Sequence, residues 1–418
     1  MLDLKLMRRD PEVVRAALAR RGGDVAGRVD DVLALDVKRR ELTTEAERVK
    51  AEQNQASKAI AAAKRDGEDV TAVIAATTTL AERGRVLRDE LAIVDGELEQ
   101  GLRTLPNLPD PTAADADTVV REVGEATKEG LDHLALAGER IDTERGARLS
   151  GSRFAYLRGD LALLELSLVN WVLHKLRAHG HEPVIPPVLV RQEALYGTGF
   201  LPDTEQQIYH LPADDLYLVG TSEVALASLH SGEILDAGTL PVRYAGFSPC
   251  FRREAGSAGK DTRGIFRVHQ FDKVEMFSFV EPSLSGQEHE RLLAIEEEIL
   301  GELDIPYRVV NIAVDDLGAS ATKKFDCEAW LPGQGRYREL TSCSNTTDFQ
   351  ARRLDIRMRR AEPKAKPETL HTLNGTAVAV GRTIIALLEN GQQDDGTIAL
   401  PSCLAPWGAP PALPAAAG

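Results

Sequence analysis

Cysteine is scarce: Cys250, Cys327, Cys343 and Cys403 are the only four in 418 residues, far apart and never in a CxxC pair. That spacing excludes a disulfide framework and a structural zinc knuckle. No apolar run approaches the roughly 20 residues needed to cross a bilayer, which excludes a membrane protein. The first residues, MLDLKLMRRDPEVV, carry charges at Asp3, Lys5, Arg8 and Arg9 and lack the apolar stretch and cleavage site of a secretory signal. A cytoplasmic location is therefore expected. Neither GxGxxG nor GxxxxGK(S/T) occurs, so neither a Rossmann nor a P-loop nucleotide site is supported. Positive charge is also in deficit, with 50 Lys plus Arg against 65 Asp plus Glu, a net −15. Taken over the whole chain this argues against a nucleic-acid partner, but a sum hides where the basic residues sit. What is present, 43% hydrophobic and 28% charged residues, suits two or three domains with a full core.

The first hundred residues contain one proline, Pro11, and no aromatic residue, and are rich in Ala, Glu, Arg and Lys. Leu35, Leu42, Val49, Ala56 and Ala63 recur every seventh residue, the interval that keeps one apolar seam on a long helix. A mixed companion row runs through Arg39, Ala46, Gln53 and Ile60. After a charged break around Gly67, Leu80, Leu87, Leu91, Val94, Leu98 and Leu105 continue in heptad-like steps. The pattern predicts an antiparallel hairpin of two helices of about 35 residues, roughly 50 Å long. Residues 28–65 hold nine basic and seven acidic side chains, a local excess of +2 inside an acidic protein. Dimerisation through this coiled coil and contact with a polyanion both fit. GLRTLPNLPDP, residues 101–111, then ends the helix, with a domain boundary near residue 110.

Beyond the boundary, Leu161–His179 and Ser283–Leu303 have helical periodicity. Pro183–Val190, Leu216–Val219, Val242–Phe247, Phe266–Val280 and Arg308–Ile312 are strand-like. Strands that succeed one another without intervening helices favour a largely antiparallel sheet with helices on its faces, an α+β fold. The last residues, 405–418, are rich in Pro and Ala and are expected to be disordered.

The segment FSPCFRREAGSAGKDTRGIFRVHQFDKVEMFSF, residues 247–279, is the richest in chemistry. Arg252 and Glu254 are two apart, which on a strand puts a cation and a carboxylate on one face, suited to a phosphate beside an amine or nucleobase edge. Phe271 and Glu275 share a face on the returning strand. His269 reads as a hydrogen-bonded structural histidine rather than a general base.

Five ordered motifs carry a resemblance: GTGFLP at 197–202, GTSE at 220–223, FRREAGSAGKDTRGIFRVHQFDKVEMF at 251–277, ELTSCSNTTDFQARR at 339–353 and LNGTAVAVGRTIIALLEN at 373–390. Together they resemble the bacterial type of class II seryl-tRNA synthetase over nearly the whole chain. The resemblance implies an antiparallel catalytic sheet at 111–404 and, at 1–110, a helical domain whose arm, about 28–100, grips tRNA(Ser). It implies activation of L-serine by ATP with Mg2+, transfer to the terminal adenosine of tRNA(Ser), with tRNA(Sec) as a further candidate, and a homodimer joined around Gly180–Val190. Arg252 would bind the α-phosphate and the serine carboxylate, Glu254 the adenine side, and Phe271 would stack under adenine. Arg382 would clamp the γ-phosphate. Arg253, Val268, Leu340 and Thr341 complete the ATP set, and Glu339 and Ser342 would hold Mg2+. Thr221 and Glu223 would receive the serine amine, Ser222 between them would also belong to the serine site, and Glu275 and Thr376 would read the hydroxyl. Lys38, Arg39, Arg48, Lys50, Lys58, Lys260 and Arg263 are candidates for tRNA contact.

The end of the chain departs from the family. In DDGTIALPSCLAPW, Ser402 and Ala405 stand where a Glu and an Arg are usual. The departure leaves open a specialised paralogue, for inhibitor resistance or a biosynthetic pathway. A synthetase-like ligase charging a carrier protein is a further alternative, against which the retained arm counts.

Overall fold

The structure is a computed structural model and describes residues 1–67, 69–126, 129–202, 205–255, 263–416. The chain divides into two compact units, Leu2–Leu105 and Pro106–Gly418, the latter with Met1.

In the first unit, Leu4–Arg9 and Pro11–Ala19 are short helices, the first capped by Asp3 and the second started by Pro11. The long helices run Gly27–Arg65 and Thr71–Thr104, 39 and 34 residues, so the longer reaches roughly 58 Å at 1.5 Å per residue. Gly67, at φ +75°, lies where the chain reverses. Val49, Leu87, Val94 and Leu98 are buried along the seam, while Leu35, Leu42, Ala56 and Ala63 are half-buried. Gly84 lets the helices approach closely: a Cβ there would lie 3.2 Å from Gln53 Nε2 and 3.6 Å from Val49 Cγ1. The periodicity did not reveal Asp36, which is fully buried. Arg8 Nε donates to its Oδ2 at 2.6 Å, and Arg40 Nε donates to the same oxygen at 3.2 Å. Burial opposes the ionisation of Asp36, yet Arg8, with Arg40 and Arg39, outweighs it and holds the carboxyl below its usual range.

The second unit is built on an eight-stranded sheet among the described residues. Its order is Thr118–Val123, Tyr307–Asn311, Lys323–Leu331, Arg336–Thr347, His371–Ala379, Gln270–Val280, Val242–Phe251 and Glu182–Val184. Every neighbouring pair is antiparallel except the last, where Glu182–Val184 runs parallel to Val242–Phe251. The helices Asp160–Ala178, Ser285–Glu302 and Val380–Gly391 contribute Leu164, Leu168, Leu292, Ile299, Ile384 and Leu388 to one core with the sheet. Each such buried side chain contributes about 1.5–3 kcal/mol of apolar burial.

Two expectations need correction. The strand-like stretch Pro183–Val190 forms only two short strands, Glu182–Val184 and Leu189–Val190; its prolines remove donors that a continuous strand would need. The chain end is ordered through residue 416 where composition suggested disorder. Ser402–Trp407 forms a 3-10 turn, and Ala412–Leu413 pairs antiparallel with Ile398–Ala399. Leu404 and Leu413 are fully buried in the main core. Burial of these apolar anchors, not local propensity, orders a Pro- and Ala-rich segment.

Candidate active site

A cleft opens on the central strands, and its walls include Arg252, Glu254, Phe271, Glu339, Ser342 and Arg382. Val268, Leu340, Thr341 and Thr376 also line it. Residues from three distant motifs therefore converge on one space.

Two irregularities in the ladder decide which side chains meet. In Arg336–Thr347, Thr341 opposes Cys327 and Glu339 opposes Glu328, so Leu340 is an extra residue. Glu339 and Ser342 are three apart, which on a regular strand gives opposite faces; the bulge returns both to the cleft. A second shift sets Val274 against Val378 but Glu275 against Thr376, leaving Ala377 extra. Glu275 and Thr376 thereby become direct partners across the two strands.

Arg252 and Glu254 lie past the end of the Val242–Phe251 strand, so strand alternation is not what brings them together. Arg252 is fixed by its Nε donating to Gly220 O at 3.2 Å and by its guanidinium 5.2 Å from the Phe271 ring centroid. Glu254 has φ +51°, a conformation that costs a non-glycine residue roughly 1–2 kcal/mol, and it accepts from Arg267 Nη1 at 3.1 Å. His269 Nδ1 lies 2.9 Å from Arg252 O, in keeping with its structural reading. Arg382 donates to Glu339 O at 3.0 Å and sits 4.7 Å from the Phe266 ring centroid. The Glu339 side chain is 47% exposed; crowding by the cleft walls opposes its ionisation, but Arg382, Lys324 and Arg252 together hold its carboxyl below the usual range. It is therefore an anion at neutral pH.

Beside the cleft lies a buried polar pocket. Thr221, Glu223, Glu275 and Thr376 are all at most 8% exposed. Glu223 accepts from Gln350 Nε2 at 2.8 Å and Asn374 Nδ2 at 3.0 Å, and Thr221 Oγ1 accepts from the Glu223 N–H at 3.2 Å. Lys273 forms a close ion pair with Glu275. Burial, with the Glu275 charge adding to it, pushes the Glu223 carboxyl up to about 7. A pocket that holds one acid near its titration point is suited to a cationic ligand group.

Other sequence candidates are placed differently. Ser222 is fully buried and donates to Gly246 O at 3.3 Å, so its hydroxyl is spent on the Val242–Phe251 strand rather than offered to a ligand. Arg253 is exposed, 5.7 Å from the Tyr209 ring centroid, and is not part of the cleft wall. On the arm, Lys38, Arg48, Lys50 and Lys58 are exposed, and Arg48 pairs with Glu52 at 2.7 Å. At about 100° per residue these positions spread around the helix instead of forming one stripe. Arg39 belongs to the seam, 3.7 Å from Asp36 and 4.0 Å from Asp95. Arg263 is exposed, 3.9 Å from Asp132, and Lys260 lies outside the described residues. Ser402 and Ala405 are exposed and take no part in the cleft wall. Sequence reasoning missed Gln350, Asn374 and Lys273. All three stand inside the motifs, in TTDFQARR, LNGTA and FDKVEM, which was the available signal.

The antiparallel sheet with these three motifs defines a class II aminoacyl-tRNA synthetase core, and residues 209–391 match the tRNA synthetase class II core domain (G, H, P, S and T) family. Residues 1–109 match the seryl-tRNA synthetase N-terminal domain family. The serine–tRNA ligase of Acidothermus cellulolyticus is 52% identical over 414 residues and that of Thermobifida fusca 50% identical over 417, each covering 97% of both chains. The crystal structure of seryl-tRNA synthetase from Pyrococcus horikoshii complexed with ATP superposes with a TM-score of 0.95 at 40% identity, covering 100% of both chains. The chain belongs to the seryl-tRNA synthetase family.

Proposed function

We propose that the protein activates L-serine with ATP to seryl-adenylate and pyrophosphate, then transfers serine to the 3′ adenosine of tRNA(Ser). The observation that carries this reading is the pairing of Glu275 opposite Thr376 beside Glu223, a buried hydroxyl- and amine-reading pocket, next to a cleft with Arg252 and Arg382. In the first step a serine carboxylate oxygen attacks the α-phosphorus, and the bond to pyrophosphate breaks with its electrons leaving on the pyrophosphate oxygen. Two anions must approach, so positioning and charge neutralisation by Arg252 and Arg382 supply the catalysis, with no side-chain nucleophile. Phe271 and Arg252 hold the adenylate end, and Glu254 faces the adenine. Glu339 and Ser342, brought to one face by the bulge, offer hard oxygen donors of the kind Mg2+ takes alongside phosphate oxygens and water. Mg2+ bound there would neutralise triphosphate charge.

Serine is selected because alanine offers Glu275 and Thr376 no hydroxyl partner, a penalty that reaches roughly 10⁴-fold in sites built around a hydroxyl. The arm grips the tRNA, with tRNA(Sec) as a second substrate through the same grip. A homodimer is supported by the exposed apolar side chains Leu163, Leu166 and Ile185 near the first class II motif. ATP–pyrophosphate exchange with each amino acid in turn, then charging of tRNA(Ser) by the full chain, tests the reading. Exchange that does not depend on serine would end it.

A further inference from the structure

We infer that His133 is a positioning residue for the ATP end of the cleft, tying the returning end of the Arg252–Arg267 segment to the helix that carries Arg382. The inference rests on the ATP placement proposed above.

His133 is 6% exposed and opens the short helix His133–Ala137, whose N-terminus is capped by Asp132 accepting from the Ala135 N–H at 2.9 Å. Its own backbone N–H donates to Glu389 Oε1 at 3.1 Å, and its ring Nδ1 lies 3.2 Å from the same oxygen. On the other side of the ring, the Ile265 backbone N–H donates to Nε2 at 3.3 Å. A backbone N–H only donates, so Nε2 must carry the lone pair. In a neutral ring the proton then sits on Nδ1, where it points to a carboxylate oxygen that can only accept when ionised. The two contacts thus demand one tautomer, and each satisfies the other. Glu389 is fully buried, and its second oxygen accepts from the Gly333 N–H at 2.9 Å. One carboxylate therefore ties three segments of chain together.

The segment is also pressed against the ring. A Cβ on Gly264, at φ +79°, would lie 2.1 Å from His133 Nε2, so only glycine lets the backbone come this close. Immediately after Ile265 the chain reaches the chemistry. Phe266 is flanked by the guanidinium groups of Arg338, 3.8 Å from its ring centroid, and Arg382, at 4.7 Å. Glu389 lies seven residues after Arg382 on the helix Val380–Gly391, two turns away. The path from Glu389 through His133 and Ile265 to Phe266 returns to Arg382, and fixes the Phe266 face against which Arg382 rests. None of these contacts involves Thr221, Glu223 or Glu275, so their loss should fall on ATP rather than on serine.

The test is serine-dependent ATP–pyrophosphate exchange by the full chain carrying His133→Phe, His133→Ala or His133→Gln, with KM measured separately for ATP and serine and folding checked by thermal melting. Phe and Ala strand the Ile265 N–H; if either fails to fold, the other gives the reading. The KM for ATP should rise about tenfold in both while the KM for serine moves less than about twofold. Gln, whose carbonyl oxygen can accept the same N–H, should return the KM for ATP to within about threefold of the unaltered protein. Three results would overturn the inference: an unchanged KM for ATP, equal rises for ATP and serine, or a Gln variant as impaired as Phe. Arg382→Ala separates this from the ATP placement itself. If Arg382→Ala raises the KM for ATP and the His133 variants do not, the His133 role falls alone. If Arg382→Ala leaves it unchanged, the ATP placement falls and takes the His133 role with it.

Discussion

The two units use charge in opposite ways. On the arm most of the charged side chains, Lys38, Arg48, Lys50 and Lys58 among them, stand exposed around a helix whose stability comes from a narrow apolar seam. In the catalytic unit the informative charges are buried: Glu223, Glu275 and Glu389 are at most 8% exposed, each with named partners. An exposed charge in high dielectric contributes a long-range, salt-screened attraction and tolerates replacement. A buried one has its ionisation and direction set by a few neighbours, and removing a partner costs far more. Under the proposed function, the arm would hold its polyanion by summed weak contacts, and the cleft would recognise small groups one atom at a time.

The largest expected break in this contrast is at the cleft cations. Arg252→Ala or Arg382→Ala should lower serine-dependent pyrophosphate exchange by roughly a hundredfold to a thousandfold, as for loss of a preorganised charge at a reacting centre. Glu275→Ala should come second, with serine activation lost and the fold retained by circular dichroism; normal exchange in a folded variant would remove Glu275 from the hydroxyl-reading role. Next comes the arm. Reversing Lys38, Lys50 and Lys58 to Glu together should raise the KM for tRNA by about tenfold or more at low salt, leave pyrophosphate exchange unaltered, and flatten the salt dependence of tRNA binding. A change in exchange would mean that the two units do not divide the work this way.

Glu223 sharpens the contrast through pH. Its carboxyl is raised to about 7 by burial and by Glu275, so in the free protein it is largely protonated below that value. Serine brings an ammonium that favours the carboxylate, and the KM for serine should therefore fall as pH rises, approaching tenfold per unit below about 7 and levelling above it. Glu223→Gln should abolish this slope. The sign for stability is the reverse: an acid with a raised folded pKa stabilises less once it must ionise, so the ligand-free protein loses this contribution as pH rises from the ordinary carboxylate range through about 7. The smallest effect belongs to the exposed chain end. Ser402→Glu with Ala405→Arg should change stability by no more than about 0.5 kcal/mol, read as an unchanged melting temperature, and leave serine activation as it was.

The parts of this protein legible in its sequence are those whose cause is local. A seven-residue period makes a seam wherever it occurs, so Leu35, Leu42 and Val49 announced the arm, and Pro106, Pro109 and Pro111 announced its end. The family resemblance carried by five motifs pointed to Arg252, Glu339, Arg382, Glu275 and Thr376. Their meeting was not legible, because strand register and bulges depend on partners far away in the chain. The extra Leu340 turns Glu339 toward Ser342, and the extra Ala377 sets Thr376 against Glu275; neither residue looks unusual in the text. Gln350, Asn374, His133 and Glu389 act through contacts across more than a hundred residues, and Ser222 and Arg253, close in sequence to residues of the cleft and pocket, make their contacts elsewhere. Periodicity and residue chemistry alone indicated that a long helical hairpin precedes a largely antiparallel sheet, and the motif resemblance indicated that the sheet is catalytic. Only the packed sheet decided which carboxylates are buried, which are charged, and which atoms they face, because desolvation and distance exist only once the chain has folded.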